Sequence, residues 1–144
     1  SISRDNARTP MQWDDSIYAG FSTQKPWLKV NPNYTQINAA SQMQDETSIF
    51  AFYQKLIALR KEHPVMAHGD LHLCCPKEGP LIAYTRTLEK ETWLVVHNFS
   101  DQAQTFVYDG LTKDTAVVLS NYDNVSAECG RLEMKPYETV IFEL

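Results

Sequence analysis

Hydrophobic positions change their spacing twice along this 144-residue chain. Over residues 1–44 apolar side chains recur without a period, and Gly20, Pro26, Pro32 and the Asn31–Asn33 cluster break every short run. That pattern predicts loops and turns, with one short helix over 37–43. A structureless run of this length is uncommon inside a compact domain and is usually functional or part of something larger. Trp13, Tyr18, Phe21, Trp27 and Tyr34 are too many aromatics for a disordered linker. They need a surface to pack on, and left unpartnered they favour self-association.

Residues 46–63 then take the helical period. Ile49, Phe52, Tyr53, Leu56 and Arg60 fall on one i, i+3, i+4, i+7 face, which Phe50 and Ile57 broaden. Asp45 reads as the N-cap and Pro64 as the stop. Lys55, Arg60 and Lys61 lie toward the C-terminal end, where the helix dipole favours cations. A wide apolar stripe of this kind packs on a sheet or barrel.

From His68 the period drops to two. Strands are predicted over 70–75, 81–87, 92–99, 104–109, 115–120, 131–134 and 138–143, which reads as an antiparallel sandwich. Glu89-Lys90-Glu91, Asp109-Gly110 and Lys135-Pro136 supply turns. Trp93, Val95, His97 and Phe99 share one face of their strand, and Leu94, Val96 and Asn98 the other. A strand apolar on both faces belongs inside a packed structure. His97 there reads as a hydrogen-bonded core histidine without an evident partner.

Composition narrows the function classes. A net charge of −5 and a pI near 5.3 argue against a nucleic acid or an anionic membrane as partner. No apolar run approaches the ~20 residues that span a bilayer. Cys74, Cys75 and Cys129 are an odd count with two adjacent, which fits buried small hydrophobes in a reducing cytoplasm. His68 and His72 lack a helical context for shared metal ligation. The triplets beginning at Asn33, Asn98 and Asn124 are read as chance glycosylation motifs. No metal-ligand spacing, phosphate loop or Ser/His/Asp arrangement appears, so no metal or cofactor is expected.

The chemistry-bearing stretch is residues 4–13, Arg-Asp-Asn-Ala-Arg-Thr-Pro-Met-Gln-Trp. Arg4, Asp5 and Arg8 place both signs of charge within five positions. A guanidinium is a rigid, permanently charged fork for carboxylates or sugar hydroxyls. Pro10 pushes Thr9 out of helix, and Trp13 offers a flat apolar face with one donor. On residues alone, this run also reads as a structural ion-pair cluster at a surface. Glycoside hydrolysis requires two carboxyl groups facing one bond. Among 18 acidic residues only Asp14-Asp15 forms a tempting doublet, and a solvated loop accounts for it.

The string RDNARTPMQWD, followed by AGF, PW and VNPNY, resembles the C-terminal part of α-glucosidases of the α-amylase-type glycoside hydrolase family. The likeness is to its oligo-1,6-glucosidase and trehalose-6-phosphate hydrolase kinds. It is dense through residues 4–35 and the helix, and diffuse after about His68, where VVHNFS, SNYD and KPYETVIFEL carry it. The resemblance implies a mixed, mainly β chain: a long loop and the last helix of a (β/α)8 barrel over 1–66, then an antiparallel β-domain over 67–144. It implies that Arg8 of the NAR triplet binds substrate by holding hydroxyls of a terminal glucose, paired with an aspartate from elsewhere in the barrel. Asp5 would support the loop.

The family's catalytic carboxylates match nothing here and are expected upstream of Ser1, so the chain reads as a piece of a longer, cytoplasmic α-glucosidase and is itself inactive. Its implied partner is a short oligosaccharide. The rival from another class is a stand-alone carbohydrate-binding or structural β-domain using Trp93 and several tyrosines as a platform.

Overall fold

The computed structural model describes residues 4–75 and 78–144, the side chains of Arg4 and Asn6 excepted. The chain divides into two compact units, Ser1–Ile57 and Ala58–Leu144.

The first unit is turn-rich. Single 3-10 turns occupy Arg4–Ala7, Ile17–Gly20 and Pro32–Thr35. Helix α1 is short, Ala39–Gln44, and helix α2 runs from Ile49 to Glu62 into the second unit. Asn38 caps α1 by accepting from the Ser41 N–H at 2.9 Å. The expected start of the long helix moves by three residues. Asp45 spends its carboxylate on the Thr47 N–H and hydroxyl, which closes a turn. Ser48 caps α2 instead, its Oγ accepting from the Ala51 N–H at 3.1 Å. No residue of α2 is buried, and Ile49, Tyr53 and Ile57 are more than half exposed.

The second unit opens on α3, Pro64–His68, with proline at its first turn. Pro64 therefore ends one helix and starts another. Among the described residues eight strands follow: β1 Asp70–Leu73, β2 Leu81–Leu88, β3 Glu91–Asn98, β4 Gln104–Val107, β5 Ala116–Ser120, β6 Ser126–Glu128, β7 Arg131–Met134 and β8 Thr139–Glu143. They form a five-stranded sheet, β1-β2-β3-β8-β5, and a three-stranded one, β4-β7-β6, with every pairing antiparallel. Seven of these were expected from periodicity. The eighth, β6, is three residues long with no buried residue, too short to show a period. Its hairpin to β7 turns at Cys129-Gly130, both left-handed.

The core lies between the sheets. Ala83, Leu94, Val96, Val140 and Phe142 of the larger sheet meet Phe106, Leu132 and Met134 of the smaller, with Leu111 from a loop. The alternation read along 92–99 holds. Leu94 and Val96 point inward, while Trp93 lies on the outer face under the His63 ring, centroids 4.7 Å apart. Trp93 is 1% exposed, so it forms no open sugar platform. Cys74 and Cys75 pack partly buried against the core, as expected, but Cys129 is exposed, because its place is the tip of that hairpin.

Candidate functional site

The loop of residues 4–13 is fixed by local hydrogen bonds before any ligand is considered. The Arg8 N–H donates to the Asp5 carbonyl at 3.1 Å, and the Arg8 guanidinium donates through Nη2 to Asp5 Oδ1. Both side chains stay close to half exposed. The ion pair thus forms within one turn, between two of the residues singled out by sequence. Arg4 contributes no description of its side chain.

Further along, the loop is stitched to the start of α1. The Ala39 and Ala40 N–H groups donate to the Gln12 and Trp13 carbonyls, each at 2.9 Å. Gln12 Nε2 reaches Asn33 Oδ1 at 3.0 Å and also the Ile37 carbonyl. These contacts set Thr9 and Asp5 beside residues 28–32, where they line a cavity of about 400 Å³ with Leu28, Lys29, Val30, Asn31 and Pro32. A second, apolar groove of about 670 Å³ runs beside it, with Pro10, Met11, Ile37, Phe50 and Tyr53 in its wall. Asp5 lines this cleft and its partner Arg8 does not; a guanidinium held by such a pair can orient hydroxyls, but it cannot break a glycosidic bond alone.

The acidic doublet lies in a locally hydrogen-bonded turn. Asp14 accepts from the Ser16 hydroxyl and N–H, and those bonds hold its carboxyl below the usual range. It is an ionised turn residue, and Asp15 is exposed. Sequence reading missed Glu138, which is fully buried. Its Oε2 accepts from the Lys135 N–H at 2.6 Å, and Lys135 Nζ stands 3.9 Å from Oε1. It closes the turn between β7 and β8, far from the loop in sequence, and only its place after Lys135-Pro136-Tyr137 hints at the role. Among the described residues no group of histidines, cysteines or carboxylates forms a metal site. Among the described residues no helix is long and apolar enough to cross a membrane.

Comparisons with known proteins give a match to each end of the chain. Residues 1–69 match the α-amylase catalytic domain, and residues 81–141 match the α-amylase SusG C-terminal domain. Oligo-1,6-glucosidase from Parageobacillus thermoglucosidasius is 40% identical over 98% of the chain and 26% of its own length. Trehalose-6-phosphate hydrolase from Escherichia coli is 36% identical over 97% of the chain and 25% of its own length. The trehalulose synthase MutB from Pseudomonas mesoacidophila MX-45 superposes with a TM-score of 0.89 at 43% identity, over 98% of this chain and 26% of that one. The chain therefore spans about a quarter of the length of the relatives it matches. Two adjoining family matches, and identity near 40% along nearly every residue, place this chain in the α-amylase-type glycoside hydrolase family.

Proposed function

We propose that this chain is the C-terminal part of an exo-acting α-glucosidase that releases terminal glucose from short α-1,6-linked oligosaccharides. The observation that carries the reading is the 40% identity to an oligo-1,6-glucosidase over 98% of the chain. On this reading residues 1–66 are the last loop and last helix of the catalytic barrel, and residues 67–144 are its β-domain. Arg8 holds hydroxyls of the terminal glucose, and Asp5 fixes the fork. On the same reading the carboxylates that cleave the bond come from outside residues 1–144; Asp5 is paired with Arg8 and Asp14 with Ser16. A cytoplasmic setting suits three unpaired cysteines.

A second reading has its own support. Identity to the trehalulose synthase, whose substrate is sucrose, is 43%, as high as to the glucosidases, so isomerisation of sucrose is a direct competitor. The protein containing this chain, assayed on isomaltose, maltose, sucrose and trehalose 6-phosphate, decides between them. The highest kcat/KM on isomaltose, with glucose as sole product, is expected. An isomerised disaccharide from sucrose would favour the second reading. Preferred cleavage of the glycosidic bond of trehalose 6-phosphate would move the protein to the trehalose-6-phosphate hydrolase kind, and no action on any α-glucoside would remove all three.

A further inference from the structure

Cys74 and Cys75 are adjacent, and neither has a part in the proposed hydrolysis. In a continued strand their side chains would point to opposite faces. The structure breaks that alternation. Strand β1 ends at Leu73, and the backbone bends at Cys75. The Cys74 N–H still donates to the Ala83 carbonyl at 2.8 Å, as in an antiparallel pair. The return bond of such a pair would run from the Ala83 N–H to the Cys74 carbonyl. That N–H donates instead to Cys75 Sγ at 3.3 Å. A side-chain sulfur has taken the place of a backbone oxygen.

The bend brings both thiols to one side. Cys74 and Cys75 pack against the same core cluster, which Ala83, Leu94 and Val96 help to form. Cys74 Sγ donates to the His72 carbonyl at 3.4 Å, so both sulfurs lie at the same end of the β1–β2 pair. Each residue is half-buried, and both thiols are free. Two neighbouring free thiols on one side of the chain are a chelating pair for an atom that bonds sulfur.

We propose that Cys74 and Cys75 form a vicinal dithiol site that captures one trivalent organoarsenical, both sulfurs bonding the same arsenic atom. The step is a substitution without electron transfer. Two S–H bonds and the As=O bond of an arsine oxide break, two As–S bonds form, and the oxygen leaves with both protons as water. The donor set selects this class. A structural zinc ion takes four ligands, and among the described residues no group of three or more histidines, cysteines or carboxylates could hold a metal. An arsine oxide carries its own third substituent and needs two sulfurs only. A direct disulfide fits less well, because adjacent Cα atoms are ~3.8 Å apart against the roughly 4.4–6.8 Å of an ordinary bridge. An atom placed between the sulfurs widens that span.

Alkylation of the full-length protein tests this. The reduced protein is treated with phenylarsine oxide, then with iodoacetamide, and each cysteine is read by peptide mass spectrometry. Cys74 and Cys75 are expected to alkylate together at least about tenfold more slowly than in untreated protein, since a sulfur bonded to arsenic is no longer a nucleophile. Cys129, exposed at its hairpin tip, should keep its untreated rate. Protection should survive about 1 mM glutathione, because the second sulfur adds intramolecularly, and 2,3-dimercaptopropanol should reverse it. In Cys75→Ser, glutathione should strip the protection of Cys74. Unchanged alkylation of either Cys74 or Cys75 in the wild type overturns the proposal. So does wild-type protection lost to glutathione, which marks capture by single thiols, and so does equal protection of Cys129. Glutathione-resistant protection in Cys75→Ser equally overturns it. None of these readouts depends on which α-glucoside the enzyme cleaves.

Discussion

Arg8 and Asp5 are partners within a single turn: the guanidinium meets the carboxylate while the Arg8 N–H meets the Asp5 carbonyl at 3.1 Å. An exposed pair of this kind contributes only ~0–1 kcal/mol to stability. Its consequence is orientation, because the fork is held in one direction beside the cleft lined by Asp5 and Thr9. In the full-length protein, Arg8→Ala is expected to lower kcat/KM about a hundredfold, from the loss of a ~3 kcal/mol charge-assisted contact. Arg8→Lys should not rescue it, since an ammonium has no fork. The melting temperature should stay near wild type for both. Near-normal kcat/KM would remove Arg8 from the site, and a large parallel loss of stability would make it a structural clamp.

Gly20 and Asp14 give a second prediction. Gly20 has φ +63°, and a Cβ there would stand 2.6 Å from an Asp14 carboxylate oxygen. Tyr18 and Ala19 are left-handed too, at 56° and 60°, and the Ala19 carbonyl takes the Trp13 N–H at 2.9 Å. Three consecutive left-handed residues make a turn that is costly for any residue but glycine. Gly20→Ala is expected to destabilise the protein by about 1–3 kcal/mol in urea unfolding. Combining it with Asp14→Ala should recover part of that loss, because the clash partner is gone. Strict additivity of the two changes would show that the contact does not matter.

Sequence showed most of this architecture, for reasons that differ from element to element. Period-two runs such as Leu81–Leu88 and Glu91–Asn98 are long and face a core, so their alternation is plain. Ser126–Glu128 is short and unburied, so nothing in it alternates. The start of α2 was misplaced because Asp45 and Ser48 are both good caps, and only the fold shows which turn each one closes. In the candidate site, Arg8 and Asp5 stood out as charges in a stiff loop. Their pairing is local, so spacing alone allowed it. Glu138 was illegible because a buried carboxylate looks like any other glutamate until its burial is known.

His97 makes the protein sensitive to acid. Burial pushes its imidazole below the ordinary 6.5, since the charged form loses solvent. The unfolded chain then binds a proton more readily than the folded one, so stability rises with pH through that window. Above about pH 6.5 this residue adds no pH dependence, because it is neutral in both states. Below it, stability should fall until the depressed folded value is passed. His97→Gln keeps a hydrogen-bonding group for Thr139 and should flatten this part of the profile. Denaturant midpoints at several pH values for both proteins check it, and an unchanged slope in the variant would assign the acid sensitivity elsewhere.

Asn98 is the polar centre of the sandwich, 3% exposed, with all of its amide in use. Nδ2 donates to the Gln102 carbonyl at 2.8 Å and the Lys135 carbonyl at 2.9 Å. Oδ1 accepts from the Ser100 N–H at 3.0 Å and the Ser100 hydroxyl at 2.8 Å. The side chain thus ties the loop after β3 to the turn before β8. Asn98→Ala would leave two carbonyls, an N–H and a hydroxyl without this partner, at a cost of about 2–4 kcal/mol. Asn98→Asp keeps the Ser100 contacts but turns a carboxylate oxygen toward two carbonyls, so it should also destabilise. Ser100→Ala removes one bond and should cost about 1 kcal/mol or less. The same geometry bears on the Asn98-Phe99-Ser100 triplet, since a glycan needs the nitrogen that both carbonyls hold. Urea unfolding of the three variants should rank Asn98→Ala and Asn98→Asp well below Ser100→Ala. Equal midpoints for all three, or a folded protein glycosylated at Asn98 from a secretory host, would show that this amide does not hold the two segments together.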